Sequence, residues 1–348
     1  MSIPYVGYAK QENDSWKGRI YMSHILDKDH IDPKDITRIA VIGAGWVGVS
    51  FAYQLSTAAL CEELVLIDSN HAKAEGEAMD LNHGISFAPT PVRIWAGDYS
   101  DCKDADIVVI TAGAAQKPGQ TRMDLVDQNA KVVRTVTEDL MKSGFDGILV
   151  VATNPVDVMA HVAWKASGLP KERVIGSGTV LDTARLRYKL GDYFELSSRN
   201  CHAYYMGEHG DTGFVAWHNA RIYGKSIDEL LAENEKYQFE HLEAIYSEVR
   251  NAAYQIIEHK NAAYYAIGVG LLRIIRAIVR NENSVVTIGA HLDGEYGASD
   301  VHIGVPALID RSGIRKIIEI ELTDEEQQKF DASVQAIKAG IEKVEPAS

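Results

Sequence analysis

Two short segments of the sequence carry side chains suited to moving a proton on a small acid. The first, G-E-H-G-D at residues 207–211, follows an apolar run and places His209 between glycines, where an imidazole can exchange a proton near neutral pH. By itself, His209 is more simply interpreted as a turn residue bonded to solvent. The second, L-D-T-A-R at residues 181–185, supplies Asp182 to orient the ring and Arg185 to bind a substrate carboxylate. Together the segments favour acid–base chemistry on a carboxylate-bearing substrate.

Polar residues after two predicted strands could complete such a site. The loop at residues 115–122 contains Gln116 and Arg122, follows a predicted strand and precedes a predicted helix at residues 123–142, which is typical of an active-site lid. A surface loop with an incidental arginine is the alternative. Asn154 ends another predicted strand, and its amide could hold a substrate hydroxyl or cap the turn.

A glycine pattern indicates a site for a dinucleotide. Gly43, Gly45 and Gly48 follow an apolar run with GxGxxG spacing, which permits a sharp turn, close approach of a pyrophosphate to bare backbone, and tight helix packing. Asp68 ends the next apolar run about 20 residues later, where an acid accepts the adenosine ribose hydroxyls. The two residues after it include no arginine for a ribose phosphate, so we expect NAD rather than NADP. An ordinary glycine turn and a strand-end helix cap are the alternatives.

An α/β fold must position these residues. Apolar runs of strand length alternate with helical patterns from residue 37 to residue 177, as a parallel sheet covered on both faces requires. The predicted strands occupy residues 39–42, 64–68, 92–96, 107–111 and 148–152. We predict an arm at residues 1–36, a Rossmann-type doubly wound parallel sheet that binds NAD at 37–177, and an α+β substrate domain at 178–348. The arm could pack on a neighbouring subunit or be a partly disordered extension.

The second half of the chain mixes helices and strands. We predict helices at residues 182–190, 226–259 and 264–280, strands at 202–206, 284–290, 301–308 and 316–320, and a last helix that begins with a capping box from Thr323 to Glu326. No glycine- or proline-rich linker separates the two halves. We therefore expect them to share a cleft.

Composition excludes several classes of protein. A net charge of −14 over 348 residues argues against a nucleic-acid partner. The three cysteines fit a reducing compartment, and no apolar stretch approaches the roughly 20 residues that cross a bilayer. The N-terminus lacks the pattern of a secretory signal, so we expect a cytoplasmic protein. We expect no metal site, because the spacing of His202, Glu208 and His209 does not match a zinc motif.

Four motifs in order resemble the lactate and malate dehydrogenase family over residues 38–344: the glycine fingerprint, A-T-N-P-V-D at 152–157, L-D-T-A-R and G-E-H-G-D. The resemblance implies reversible, NADH-dependent reduction of a small 2-oxo acid. His209 would exchange the proton, Asp182 would orient its ring, and Arg185 would bind the substrate carboxylate. Arg122 would polarise the carbonyl when the lid closes, and Asn154 would position the substrate oxygen.

The resemblance also implies which residues contact NAD. They are Gly43, Gly45, Val47, Gly48, Asp68, Lys73, Tyr99, Thr111, Gly113, Ala114, Thr135, Ala152, Asn154 and Ser177. Several of them follow predicted strands, and the carboxyl ends of strands bind ligands in open α/β sheets.

Two positions bear on the choice of substrate. In malate dehydrogenases of the family an arginine stands at the lid position of Gln116 and pairs with the second carboxylate of oxaloacetate, so the neutral glutamine predicts lactate dehydrogenase activity on pyruvate. Ala263 stands where the lactate dehydrogenase pattern usually has threonine, which predicts tolerance of longer or branched 2-oxo acids. A broader L-2-hydroxyisocaproate-type dehydrogenase is the first alternative, and malate dehydrogenase the second. A nonenzymatic NAD-binding protein would not need to keep the catalytic and substrate-binding residues together.

Arg187 and His202 match positions at which many bacterial lactate dehydrogenases bind fructose 1,6-bisphosphate across a subunit interface. Cationic groups from two chains that meet at a symmetry axis can form a phosphate site in an acidic protein. An ordinary interface arginine and histidine are the alternative. The family assembles as tetramers or dimers, so we expect a homotetramer.

Overall fold

The computed structural model describes residues 37–114 and 125–345. The predicted arm at 1–36 and the lid residues Gln116 and Arg122 lie outside the described residues. In chain order the strands are β1 (Arg38–Ile42), β2 (Glu63–Ile67), β3 (Arg93–Ala96), β4 (Ile107–Ile110), β5 (Ile148–Val151), β6 (Val174–Gly176), β7 (Cys201–His202), β8 (Tyr205–Met206), β9 (Phe214–Val215), β10 (Arg221–Ile222), β11 (Lys225–Ser226), β12 (Ser284–Asp293), β13 (Ser299–Asp310) and β14 (Gly313–Ile317). The α-helices are α1 (Trp46–Thr57), α2 (His71–Gly84), α3 (Val126–Lys142), α4 (Val156–Ser167), α5 (Val180–Tyr193), α6 (Ile227–Glu233), α7 (Phe239–Lys260), α8 (Tyr265–Val279) and α9 (Asp324–Val344).

The apolar runs of the first half form a parallel sheet in the order β6-β5-β4-β1-β2-β3. Most residues of β1, β2, β4 and β5 are inaccessible to water, as a sheet covered on both faces requires. This strand order is that of a doubly wound Rossmann fold, which confirms the predicted fold class. The short strand β6 was not among the five predicted strands, because three apolar residues carry little periodic signal.

Antiparallel strands continue the same sheet into the second half of the chain. Among the described residues the sheet has nine strands, and β12, β13 and β14 follow β6 at its edge. At the junction, Gly289 of β12 lies opposite Gly176 of β6. A Cβ on Gly289 would lie 3.1 Å from the Gly176 Cα, so two glycines allow this close approach of the strands. The continuous sheet connects the two halves through a shared core.

Two predicted elements of the second half are wrong. The predicted strand at 202–206 is two strands in different sheets, because the Ala203 carbonyl accepts a hydrogen bond from Arg187 Nε instead of a strand neighbour. The predicted helix at 226–259 is interrupted between α6 and α7. There the Asn234 side chain accepts a hydrogen bond from the Lys236 N–H, and such local turns compete with a helix.

The last helix begins as the sequence predicts. Thr323 caps α9, with its Oγ1 accepting from the Glu326 N–H at 3.2 Å and the Glu326 carboxylate accepting from the Thr323 N–H at 3.0 Å. In residues 37–114 and 125–345, none of the helices combines the length and the apolar character of a bilayer-spanning segment.

Candidate active site

An imidazole, a carboxylate and a guanidinium meet at the start of α5. His209 Nδ1 lies 2.5 Å from Asp182 Oδ2, and Arg185 Nη1 donates to Asp182 Oδ1 at 3.1 Å. All three side chains are largely buried, with exposed fractions of 14%, 8% and 14% for His209, Asp182 and Arg185. A carboxylate on Nδ1 selects the ring orientation and leaves Nε2 for proton exchange. The two segments predicted to act together are therefore adjacent in space.

The loop that carries His209 is held from two sides. Gly207 has φ +88° and exchanges two backbone hydrogen bonds with Gly304 of β13. A side chain at position 207 would collide with Ser333, so glycine is required there. From the other side, Asp157 of α4 accepts a hydrogen bond from the His209 N–H at 2.8 Å. Asp157 ends the A-T-N-P-V-D motif, but nothing in the motif indicates this contact with His209.

A buried asparagine joins the ends of two central strands. Asn129 of α3 is 1% exposed, and its Oδ1 accepts from the Ala114 N–H at 2.8 Å. Its Nδ2 donates to the Asn154 carbonyl at 2.7 Å. Asn129 therefore sets the spacing between the segments that follow β4 and β5. Asn129 is one of many polar residues in this amphipathic helix, so the sequence gave no signal for its role.

The glycine turn after β1 has the shape that the sequence predicts. Gly43 has φ +110°, and a Cβ on Gly48 would collide with the Gly43 carbonyl, so α1 packs directly on the turn. Apart from Gly45 itself and its neighbours in the chain, no heavy atom of the described residues lies within 4 Å of the position that a Cβ on Gly45 would occupy. At the end of β2, Asp68 accepts hydrogen bonds from the N–H groups of Ala44 and Asn70 at 2.8 and 2.9 Å. The carboxylate is thereby held beside the glycine turn.

The glycine turn and the His209 cluster line one cleft of about 370 Å³. Its described lining includes Gly45 and Asn154 from the parallel-sheet half, and Arg185, His209 and Ala263 from the second half. The two halves thus share a cleft, as expected. Among the described lining residues, Arg185 is the one side chain with a permanent positive charge.

The wall beside Ala263 is mainly apolar, although Asn261 of the same connection also lines the cleft. The connection from α7 to α8 contributes Ala262 and Ala263, and the helices contribute Ala253, Ile257 and Ile267. None of these side chains can pair with a charged group. This part of the described cleft therefore suits a methyl or alkyl substituent better than a second carboxylate.

Comparison with known proteins agrees with the fold and the motifs. Residues 37–176 match the NAD binding domain of lactate/malate dehydrogenase, and residues 179–347 match the alpha/beta C-terminal domain of lactate/malate dehydrogenase. The chain belongs to the lactate/malate dehydrogenase family. An L-lactate dehydrogenase 2 from Bacillus cereus is 54% identical over 305 residues, which cover 88% of this chain and 97% of that protein.

Two solved structures allow the backbone similarity to be compared with the sequence identity. The lactate dehydrogenase MGS-M5, from a Medee basin deep-sea metagenome library, has a TM-score of 0.86 and 49% identity, covering 89% of this chain and 99% of that one. The malate dehydrogenase of Cryptosporidium parvum has a TM-score of 0.85 but 28% identity, with coverage of 89% and 99%. The backbone is therefore common to both, and the sequence is closer to the lactate dehydrogenase.

NAD is the cofactor of this member of the lactate/malate dehydrogenase family. The open space beside Gly45 and the anchored Asp68 carboxylate fit a pyrophosphate and an adenosine ribose. Of the predicted NAD contacts, seven line the cleft: Gly45, Val47, Thr111, Gly113, Ala114, Ala152 and Asn154. The other seven are not among its described lining residues. Gly43, Gly48 and Asp68 form or adjoin the glycine turn, whereas Lys73 is exposed on α2, Tyr99 half-buried after β3, Thr135 exposed on α3, and Ser177 half-buried after β6.

The two residues predicted to bind a sugar bisphosphate lie close together. Arg187 Nε donates to the carbonyl of Ala203 at 3.1 Å, directly after His202, which is exposed on β7. Burial lowers the pKa of the Arg187 guanidinium below its ordinary value. Arg221 of β10 lies opposite His202 in the strand pair and was not identified from the sequence. The three form a basic group on the second half of the chain.

Proposed function

We propose that this chain is an L-lactate dehydrogenase that catalyses the reversible, NADH-dependent reduction of pyruvate to L-lactate. The observation that carries the proposal is the His209–Asp182–Arg185 group in the same cleft as the glycine turn. It supplies a proton, a carboxylate that stabilises the imidazolium, and a partner for the substrate carboxylate.

Each residue has a role that follows from its position. NADH supplies the hydride. His209 donates a proton from Nε2 to the carbonyl oxygen and becomes neutral, and Asp182 stabilises the imidazolium before this transfer and holds the orientation of the ring throughout. Arg185 binds the substrate carboxylate with two parallel hydrogen bonds. These bonds use guanidinium N–H groups other than the one that Nη1 donates to Asp182. Arg122 polarises the carbonyl, and Asn154 positions its oxygen.

Pyruvate is favoured over oxaloacetate because Arg185 pairs with the first substrate carboxylate and the described wall beside Ala263 carries no cation for a second one. A second carboxylate beside these mainly apolar side chains would be desolvated without a charged partner, and Gln116, where malate dehydrogenases of the family have arginine, carries no charge. The space beside Ala263 also favours acceptance of longer 2-oxo acids, which is the property of an L-2-hydroxyisocaproate-type dehydrogenase.

We further propose activation by fructose 1,6-bisphosphate, a homotetramer and a cytoplasmic location. The basic group around Arg187, His202 and Arg221 supports the first, because phosphates prefer paired guanidinium and imidazolium donors. Sedimentation of the protein and pyruvate saturation curves, each with and without the sugar bisphosphate, test the assembly and the activation.

The test of the main proposal is NADH oxidation with pyruvate by the wild type and by His209→Gln. Loss of a general acid typically costs about 10²–10⁴-fold in rate, so the variant should be reduced by that factor while still binding NADH. Glu208→Gln, the neighbouring carboxyl to amide change, serves as the control for loop disturbance. Undetectable turnover of every 2-oxo acid by the wild type, with NADH bound, would favour the nonenzymatic alternative.

A further inference from the structure

Three buried histidines meet outside the catalytic cleft. His161 of α4, His291 of β12 and His302 of β13 are 1%, 8% and 0% exposed. Their ring centroids lie 5.1 to 6.2 Å apart, and His291 and His302 are direct partners in the strand pair. The ring of Trp164 lies 4.1 Å from that of His291 and closes one side. None of these residues lines the catalytic cleft described above.

The ring nitrogens of this histidine cluster are poorly satisfied by protein groups. Within the described residues, both nitrogens of His161, both of His302 and Nδ1 of His291 are buried and make no hydrogen bond of good geometry, although Glu345 Oε1 lies 3.4 Å from His161 Nε2. Buried polar atoms in folded proteins normally have partners, so this set of nitrogens requires an explanation. A ligand that accepts an electron pair from an imidazole nitrogen would satisfy part of the set.

One corner of the cluster has the geometry of a metal site. Donor atoms of His161, His291 and Asp300 all lie within 4.8 Å of one another. His291 Nε2 and Asp300 Oδ1 are 3.5 Å apart. Bonds of ~2.1 Å to a tetrahedral ion place two donors about 3.4 Å apart, so this pair is already at the required spacing. We propose that His161, His291 and Asp300 bind a divalent transition metal ion of the zinc type.

Charge and access also suit a cation. Asp300 is at the open side, with 64% of its side chain exposed, and Glu345 Oε1 lies 3.4 Å from His161 Nε2. Lys165 Nζ lies 3.5 Å from Asp300 Oδ1 and opposes a cation at this carboxylate, and the charge of Lys171 acts on His291 in the same sense. The Lys165 side chain is 48% exposed and can turn to solvent when a metal binds.

Two imidazoles and one carboxylate form a donor set that zinc uses in proteins, with water in an open fourth position. The ion would link α4 to β12 and to the start of β13. Its role would be to stabilise this junction, because the site lies apart from the reacting groups.

Zinc binding to the full-length, tag-free protein tests the proposal. The protein is stripped with a chelator, equilibrated with zinc chloride, dialysed and analysed for metal content, with about one zinc per chain expected. Asp300→Asn should weaken zinc binding by roughly a hundredfold or more, since loss of groups that only orient ligands costs ~10–100-fold. Asp104→Asn removes a carboxylate of similar exposure outside the cluster and should bind zinc like the wild type.

Thermal unfolding and a cobalt spectrum give independent readouts. At a zinc concentration a hundred times the Kd, the wild-type Tm should rise by roughly 5 °C, and that of Asp300→Asn should not. Cobalt in the site should show the visible bands of a tetrahedral ion. Equal zinc content in the wild type and Asp300→Asn, or no zinc in either, would overturn the proposal and leave the histidines as packed rings. Retention of zinc by folded His161→Gln would overturn it as well.

Discussion

Replacing Asp157 should slow catalysis without changing how the rate depends on pH. The Asp157 carboxylate is 2% exposed and accepts a hydrogen bond from the backbone N–H of His209, not from its ring. It therefore fixes where the imidazole lies, whereas Asp182 contacts Nδ1 of the ring itself. The two carboxylates should be distinguishable by kinetics.

The size of the effect follows from the bond that is lost. A hydrogen bond to a charged group contributes ~1.5–3 kcal/mol, and Asp157→Ala removes the acceptor entirely. If the displacement of His209 raises the activation free energy by this whole amount, kcat/KM falls about 10- to 150-fold, since each ~1.4 kcal/mol is a factor of ten. Asp157→Asn keeps the volume and a neutral acceptor, so a loss of ~1 kcal/mol and about fivefold in kcat/KM is expected.

The assay is steady-state NADH oxidation with pyruvate from acid to alkaline pH, together with thermal unfolding. Asp182→Asn is measured alongside and should shift the pH profile. Asp127→Asn, an exposed carboxylate in the first turn of α3, controls for loss of a charge near a helix start. The reasoning is refuted if the Asp157 variants lower only the Tm and keep kcat/KM within about twofold of the wild type. A pH profile shifted as in Asp182→Asn would refute it equally.

Further outcomes concern substrate choice and the thiols. Gln116→Arg should raise kcat/KM for oxaloacetate relative to pyruvate by about tenfold or more, because a hydrogen bond to a charged partner contributes ~1.5–3 kcal/mol. An unchanged ratio would show that residue 116 does not face the substrate. Ala263→Thr should lower kcat/KM for 2-oxobutyrate and branched acids more than for pyruvate, and equal losses would contradict a pocket there. Burial raises the pKa of Cys102 to about 12 and also raises the pKa values of Cys61 and Cys201. A thiol reagent at about pH 8 should therefore label none of these cysteines in the native protein and three per chain after denaturation.

The sequence was sufficient where function depends on local backbone shape or on a fixed short spacing. The glycine turn is an example, because Gly43 and Gly48 are required by contacts within one strand–turn–helix unit. The capping box at Thr323 is another, since both partners lie within four residues. The near-continuous apolar runs likewise predicted a buried parallel sheet, because both faces of such strands must be covered.

Long-range hydrogen bonds were beyond such reasoning. Asn129 and Asp157 form hydrogen bonds with backbone groups that are 15 to 52 residues away in the sequence. The residues around a polar side chain in a helix do not indicate which distant group it will contact. The same applies to the strand predicted at 202–206, where a side chain of α5 takes the Ala203 carbonyl.

By itself, then, the sequence determined the class of fold, the cofactor and the types of residue available for chemistry, because each depends on local pattern. Only the tertiary structure decided which of those residues meet. It joined His209 to Asp182 across 27 positions, and it brought His161, from a helix, beside His291 of the antiparallel strands. The physical reason is that packing of the continuous sheet, rather than spacing along the chain, sets the distances between these side chains.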